Sequence, residues 1–354
     1  MKKNKIVKFG LLGLGAVVKI RALKLFKREL NNSKVISVYD KDMKKNFEYS
    51  KEFKCKINRY EKEFFSRDFD YCYISTPSGS HFKDILKCFK NGKHVVVEKP
   101  PTLKTSQLLF LHKISIKKKL DFFVIYQNRE NKAVKFVKDY LRKNKKDKIV
   151  LVNLNLLWSR PQSYYSNWHG KWKHDGGVLA QQGIHYIDLL CHFFGKPLKA
   201  ISLISNISNK LQAEDTNIGL IKFKNATCTI GLSTALRPND YKASMEINCQ
   251  KNLIKLYGIA CNKVSILNYK TKKNKKLEKL CRKNSQSVKI GVGISHLACF
   301  KKIIDHFNNN KKVKPLKAIQ TLDTLKLVNM LYLSSSKKNW VNNNMENIFS
   351  RLGN

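Results

Sequence analysis

The chain has 354 residues, with 70 Lys and Arg against 25 Asp and Glu, a formal charge of +45. Its 42% of hydrophobic residues excludes a wholly disordered chain, and no apolar run approaches the ~18–20 residues that cross a bilayer. The charge suggests a polyanion partner, but the lysines are spread along the whole chain among many Asn and Ile, a bias that an AT-rich genome produces, and no RRM, KH, zinc-finger or helix-turn-helix signature accompanies them. The reading is therefore a solvated basic surface with neither a nucleic-acid nor a membrane partner. Nine cysteines, an odd number without a CxxC pair, argue against a disulfide framework and a zinc site, and point to reduced thiols in the cytoplasm. Met1–Val18 begins basic and turns apolar like a signal peptide, yet Lys8 and three glycines interrupt it, which favours a buried strand entering a glycine turn.

Short β-rich runs alternate with helical patterns through the first 126 residues. Strands are expected at Ile6–Leu12, Val35–Tyr39, Tyr71–Ser75, His94–Val97 and Phe122–Tyr126. Helices are expected at Val17–Leu30, Met43–Phe53, His81–Lys90, which Asn91-Gly92 stops, and Ser106–Lys118. This alternation implies a doubly wound parallel sheet. After about residue 145 strand-like runs follow one another at 149–158, 200–207, 216–223, 226–233, 243–249, 253–257 and 263–269, with one helix over Val178–Phe194. Such runs imply an α+β domain on an open, mostly antiparallel sheet. The lysine-rich run Lys270–Lys283 reads as a charged loop or edge segment, and helices return at 295–308 and 318–336. The expected fold class is α/β, with a dinucleotide-binding domain over 1–126 and a substrate-binding and oligomerisation domain over 127–354, whose C-terminal helices partly pack back on the first.

Gly13 and Gly15 close the first strand and open the first helix, with Ala16, Val17 and Val18 following. They match the first two positions of G-x-G-x-x-G/A; Gly13 allows the tight turn, and Gly15 lets backbone approach a pyrophosphate held at the helix N-terminus. Val18 fills the third position, normally Gly or Ala. Asp40 ends the second strand, where a carboxylate accepts both ribose hydroxyls and repels a 2′-phosphate, favouring NAD; Lys41 beside it leaves NADP open.

The segment Ser75-Thr-Pro-Ser-Gly-Ser-His81, then Gly92-Lys-His-Val-Val-Val-Glu98-Lys99-Pro100, and finally Asp175-Gly-Gly-Val-Leu-Ala-Gln-Gln-Gly-Ile-His185-Tyr-Ile-Asp188, resembles the Gfo/Idh/MocA oxidoreductases, a family of NAD(P)-dependent sugar and cyclitol dehydrogenases. The resemblance covers nearly the whole chain. It implies that Thr76, Pro77, His81 and Glu98 line the cofactor and that Lys99 reaches both nicotinamide ribose and substrate; a His81 that simply faces water at a helix N-terminus is the alternative. It also implies a homodimer or homotetramer formed through the open sheet.

Oxidising a carbinol needs a base for the hydroxyl proton. His185 suits it, with an ordinary pKa of about 6.5 near the working pH, while Lys99 stabilises alkoxide charge. Gln181, His185 and Asp188 fall at i, i+4 and i+7 of the expected helix and so share a face. Many members of the family have Asp where Gln181 stands, so Lys99 and His185 both remain candidates for the principal base. Asp188 pairs with His185, binds a sugar hydroxyl, or is simply a helix-surface acid. A neutral residue at 181, preceded by Trp168-x-Gly-x-Trp172-x-x-Asp-Gly-Gly, looks like the branch acting on nucleotide-activated amino sugars in surface-polysaccharide pathways. Tyr164, Tyr165, Trp168 and Trp172 either stack on sugar or base, or are core aromatics. The alternatives are a free cyclitol or aldose dehydrogenase, and a non-catalytic nucleotide-binding regulator.

Overall fold

The computed structural model describes residues 5–271, 274–287, 295–310, 312–344 and 349–354. Met1–Asn4 of the signal-like start and Lys272 and Lys273 of the charged run lie outside the described residues. The chain divides into two compact units, one of residues 1–126 with 295–320 and one of residues 127–294 with 321–354.

In the first unit five parallel strands, β1 (Val7–Leu12), β2 (Ser33–Tyr39), β3 (Tyr71–Ile74), β4 (His94–Glu98) and β5 (Phe122–Ile125), stand in the order β2-β1-β3-β4-β5. Helices α1 (Met43–Phe53), α2 (Glu61–Ser66), α3 (His81–Lys90) and α4 (Thr105–Lys117) connect them. β3 and β5 are buried at every residue, as expected of parallel strands covered on both faces. The strand order reverses between β1 and β3, and in an open α/β sheet ligands bind at such a switch point, outside the carboxyl ends of the strands. The expected helix over Val17–Leu30 forms as two π-helical stretches, Val18–Ala22 and Leu25–Glu29, whose Leu23 and Leu30 N–H groups reach back five residues to Val18 O and Leu25 O. Chain from beyond residue 294 completes this unit. Helix α8 of the chain (His296–Phe307) sets Phe300 against Phe9, Phe26 and Tyr73 at ring distances of 5.9, 5.2 and 5.1 Å.

The second unit is built on eight strands: β6 (Ile149–Leu157), β7 (Pro197–Ser205), β8 (Thr216–Phe223), β9 (Thr227–Ser233), β10 (Lys242–Cys249), β11 (Asn252–Tyr257), β12 (Lys263–Asn268) and β13 (Val341–Asn342). Their order is β12-β11-β10-β6-β9-β8-β7-β13, antiparallel except where β6 runs parallel to β9. Helix α9 (Leu322–Lys337) lies on β7, where the Ser202 N–H donates to Ser334 Oγ at 2.8 Å and the Ser202 hydroxyl to Leu331 O at 2.7 Å. On the other face of the sheet Leu203, Ile218 and Leu220 are exposed.

Two expectations need correction, and one helix was not expected. Helix α5 (Lys132–Lys143) has no counterpart in the sequence reading. The lysine run is not a loop: α7 (Lys275–Asn284) occupies most of it, capped by Asn274, whose side chain accepts from Leu277 N–H at 3.0 Å. The helix expected from Val178 is regular only over α6 (Ile184–Phe194), and residues 178–183 form turns before it.

Phe300 is wholly buried, so Phe300→Ala should destabilise the first unit by about 3–5 kcal/mol. Urea unfolding followed by amide exchange of β1, β3 and β4 checks this; a change confined to a few tenths would show that α8 is dispensable to that core.

Candidate active site

The glycine turn is tied to two strands at once. Gly13 has φ +87°, and a Cβ there would stand 2.7 Å from Thr76 N, so no L side chain fits. Its N–H donates to Tyr39 O at 2.8 Å, and its carbonyl accepts the Ser75 hydroxyl at 2.7 Å. A Cβ on Gly15, by contrast, would meet nothing within 4 Å, leaving open space in front of the helix N-terminus formed by Ala16, Val17 and Val18. Asp40 accepts from Leu14 N–H at 2.7 Å and Asp42 N–H at 2.9 Å. A carboxylate has about four acceptor positions, so room remains for ribose hydroxyls. Turn, helix end and acid together fit a dinucleotide.

Thr76 and Pro77 follow β3, and the Thr76 hydroxyl donates to Asp84 at 2.7 Å. His81 does not face water. It is 1% exposed, and its ring nitrogens lie 2.7 Å from Pro100 O and 2.9 Å from Thr76 O. Burial pulls its pKa below the ordinary value, while the two carbonyls, each of which accepts from a protonated ring nitrogen, pull the other way. His81 thus braces the turn after β3 against the turn after β4. Glu98 is also directed inward. Its carboxylate accepts the Tyr73 hydroxyl at 2.6 Å and lies 3.5 Å from His296 Nε2. Burial alone would raise its pKa; His296, Tyr73 and the Lys99 charge outweigh it and keep it below the ordinary carboxylate range. Lys99 follows directly at the carboxyl end of β4.

In the second unit His185 is the second residue of α6 and is half-buried. Because Gln181 stands in the turns before the helix, it does not share a regular helical face with His185 and Asp188. Its amide donates to the Tyr164 hydroxyl at 2.8 Å. The Tyr164 ring stacks on His169 at 4.4 Å and 10°, and His169 Nδ1 lies 2.6 Å from Asp175. Trp168 packs against His169 at 3.8 Å, and Arg160, held to Asp240 at 2.9 Å, lies over Trp158.

Two substrate candidates take other roles. Asp188 is 1% exposed and neither pairs with His185 nor faces a sugar: Arg129 binds it in a two-pronged contact at 2.7 and 2.6 Å, and the Thr324 hydroxyl donates at 2.8 Å. Trp172 is 6% exposed and edge-packed on Tyr332 and Phe349 at 5.1 and 5.3 Å, a core aromatic. Sequence reading missed Arg129, although an acid amid Ile187, Leu189 and Leu190 signals a buried cation partner. It also missed His296 and Glu214, for which no local pattern exists.

The family model described as "Oxidoreductase family, NAD-binding Rossmann fold" matches residues 7–126, and "Oxidoreductase family, C-terminal alpha/beta domain" matches residues 138–342. The scyllo-inositol 2-dehydrogenase (NADP(+)) of Bacillus subtilis is 29% identical over 129 residues, 36% of this chain and 36% of that protein. The matched stretches span about half or less of the curated relatives' length. Among solved structures, the WlbA dehydrogenase of Chromobacterium violaceum, in complex with NADH and UDP-GlcNAcA, superposes with a TM-score of 0.88 at 23% identity over 98% of each chain. The Bordetella pertussis WlbA dehydrogenase gives 0.86 at 22% identity over 96% of this chain and 98% of that one. At these identities the likeness is one of fold.

Asp188→Ala removes the two-pronged contact from the largely buried Arg129 guanidinium and should cost about 3–5 kcal/mol of stability. Chemical denaturation tests it; unchanged stability with a raised substrate KM would restore the sugar-binding role.

Proposed function

This chain belongs to the Gfo/Idh/MocA oxidoreductases, and on that premise we propose that it is an NAD-dependent dehydrogenase acting on a secondary hydroxyl of a nucleotide-linked amino sugar, such as UDP-N-acetylglucosamine or its uronate, in surface-polysaccharide biosynthesis. The observation that carries the substrate class is the uncharged Gln181, bonded to Tyr164, at a position where a carboxylate suits free polyols. The fold it shares with dehydrogenases crystallised with UDP-GlcNAcA supports the same reading. The match to scyllo-inositol 2-dehydrogenase favours a second reading, a free cyclitol as substrate.

In the proposed reaction the hydroxyl proton passes to His185 as the neighbouring C–H bond breaks and the carbinol becomes a ketone. When bound, NAD accepts the hydride. Lys99 stabilises the charge that grows on the oxygen. Asp40 would hold the adenosine ribose, and the N–H groups after Gly15 would hold the pyrophosphate. A homodimer or homotetramer joined through the face bearing Leu203, Ile218 and Leu220 would remove that apolar surface from water.

A panel of UDP-sugars and free sugars with NAD, followed by reduced-nicotinamide absorbance, should show turnover on UDP-sugars. Turnover of inositol or glucose alone would establish the second reading. Lys99→Met and His185→Asn should each lower kcat by about 10²–10⁴-fold, and unaltered kcat in both would remove the assigned chemistry. Asp40→Ala should weaken NAD binding on the order of tenfold or more, as measured by calorimetry.

A further inference from the structure

Glu214, two residues before β8, is 1% exposed and reaches the turns that lead into α6. Its Oε1 accepts from Leu179 N–H at 2.9 Å and from the Tyr332 hydroxyl at 2.9 Å, and its backbone carbonyl accepts from Val178 N–H at 2.9 Å. Tyr332 in turn accepts from Gly177 N–H at 3.2 Å. Three successive N–H groups, of residues 177, 178 and 179, are therefore satisfied by Glu214 or through its tyrosine. The approach is so close that a Cβ on Gly177 would lie 2.3 Å from Glu214 Oε2. That oxygen is buried and meets no hydrogen-bond partner among the described residues.

Within the turns Gln181 N–H donates to Gly177 O at 3.0 Å, and Ile187 N–H in α6 reaches Gly183 O at 2.9 Å. The position of Gln181 and the start of the helix bearing His185 thus follow from how Glu214 is held. An ionised carboxylate with one oxygen unbonded and out of water is costly, and the neutral acid much less so. The groups facing it are the Tyr332 phenol from α9 and Asp175 from the preceding loop, the latter engaged by His169.

We propose that Glu214 is a positioning residue: as a neutral acid it fixes the turns carrying Gln181 and launching His185, and its ionisation loosens them, setting the alkaline limit of the reaction. This rests on the reading of His185 as proton acceptor. Burial, the largest influence, pushes the carboxyl up to about 8; the Leu179 and Tyr332 bonds pull against it, and Asp175 adds to it. Since the folded state holds the proton more tightly than the unfolded one, the stability Glu214 contributes is full below the ordinary carboxylate range and is lost as pH rises through about 8.

Glu214→Gln keeps the shape and the Oε1 acceptor but cannot ionise. Its turnover at pH 7 should stay within about threefold of wild type, with the alkaline limb of kcat moved up by about one pH unit or more. Tyr332→Phe removes a bond that favours the ionised form, so it too should move the limb upward. Amide exchange of the 177–183 segment, corrected for intrinsic rate, should lose about tenfold protection from pH 7 to 9 in wild type but not in Glu214→Gln. Wild-type melting temperature should fall relative to Glu214→Gln between about pH 4.5 and 8. An alkaline limb and an exchange profile shared by wild type and both variants would overturn the proposal. Should no sugar be turned over, the reading of the reaction fails, while the exchange and melting measurements still decide the role of Glu214.

Discussion

Gly13 turns at φ +87° where a Cβ would strike the backbone of Thr76, and the carboxyl edge of the first unit is assembled around that approach. With the ends of β1 and β3 this close, the Ser75 hydroxyl bonds the glycine carbonyl while the glycine N–H bonds the end of β2. Asp40 adds a second tie from β2 through Leu14 N–H, and His81 extends the tie from the turn after β3 to Pro100 after β4. Four strand ends are thereby cross-linked by short polar contacts. The space in front of Gly15 stays open because the strands around it are held from moving into it. A side chain at residue 13 would separate β1 from β3 and disturb every later link.

Much of this edge was legible in the sequence, because its constraints are local. A positive φ demands glycine, a parallel strand covered on both faces reads as an apolar run, and Asn91-Gly92 marks the end of α3. The fold class and the places of Gly13, Gly15, Asp40, Thr76 and Lys99 follow from such signals. What was hidden depended on partners far along the chain. Asp188 could not be matched with Arg129, 59 residues earlier, or with Thr324, 136 residues later, by any spacing rule. Gln181 was placed on a helix because the periodicity of 178–194 is helical; the contact with Glu214 overrides it and holds residues 178–183 in turns. The abundance of lysine had a separate effect. In α5 and α7 it supplies so many polar positions that the apolar stripe, of which Ala133, Val134, Val137 and Cys281 are the buried members, is hard to tell from a charged loop.

The +45 charge takes its place through the same division between surface and interior. Of the 25 acids, six among the described residues are committed inside: Asp84, Glu98, Asp175, Asp188, Glu214 and Asp215 are all buried. Asp215 illustrates the cost of losing one, since it accepts from the N–H groups of Ile207, Ser208 and Asn209 and so closes the whole loop before β8. The surface cations are tied locally only in part, as Lys87 is to Glu61 and Lys93 to the Arg67 and Phe69 carbonyls. On the proposed function their summed field would speed the arrival of a diphosphate cofactor and a diphosphate-linked sugar, with a rate that falls as salt rises.

Two of those buried acids show how one kind of side chain serves two opposite ends. Glu98 has His296, the Tyr73 hydroxyl and the Lys99 charge around it, and these hold its pKa below the ordinary carboxylate range despite burial. Its charge lies beside Lys99 in the chain, at the carboxyl end of β4. Glu214 has only neutral donors and the repulsion of Asp175, so burial wins and the proton stays on. Its neutrality lets a glycine backbone press against the carboxyl without a counter-ion, which gives the turn before His185 its closeness. Exchanging the two environments would fail on both sides: a neutral Glu98 would leave Lys99 without its adjacent anion, and a charged Glu214 would draw water into the turn that bears Gln181.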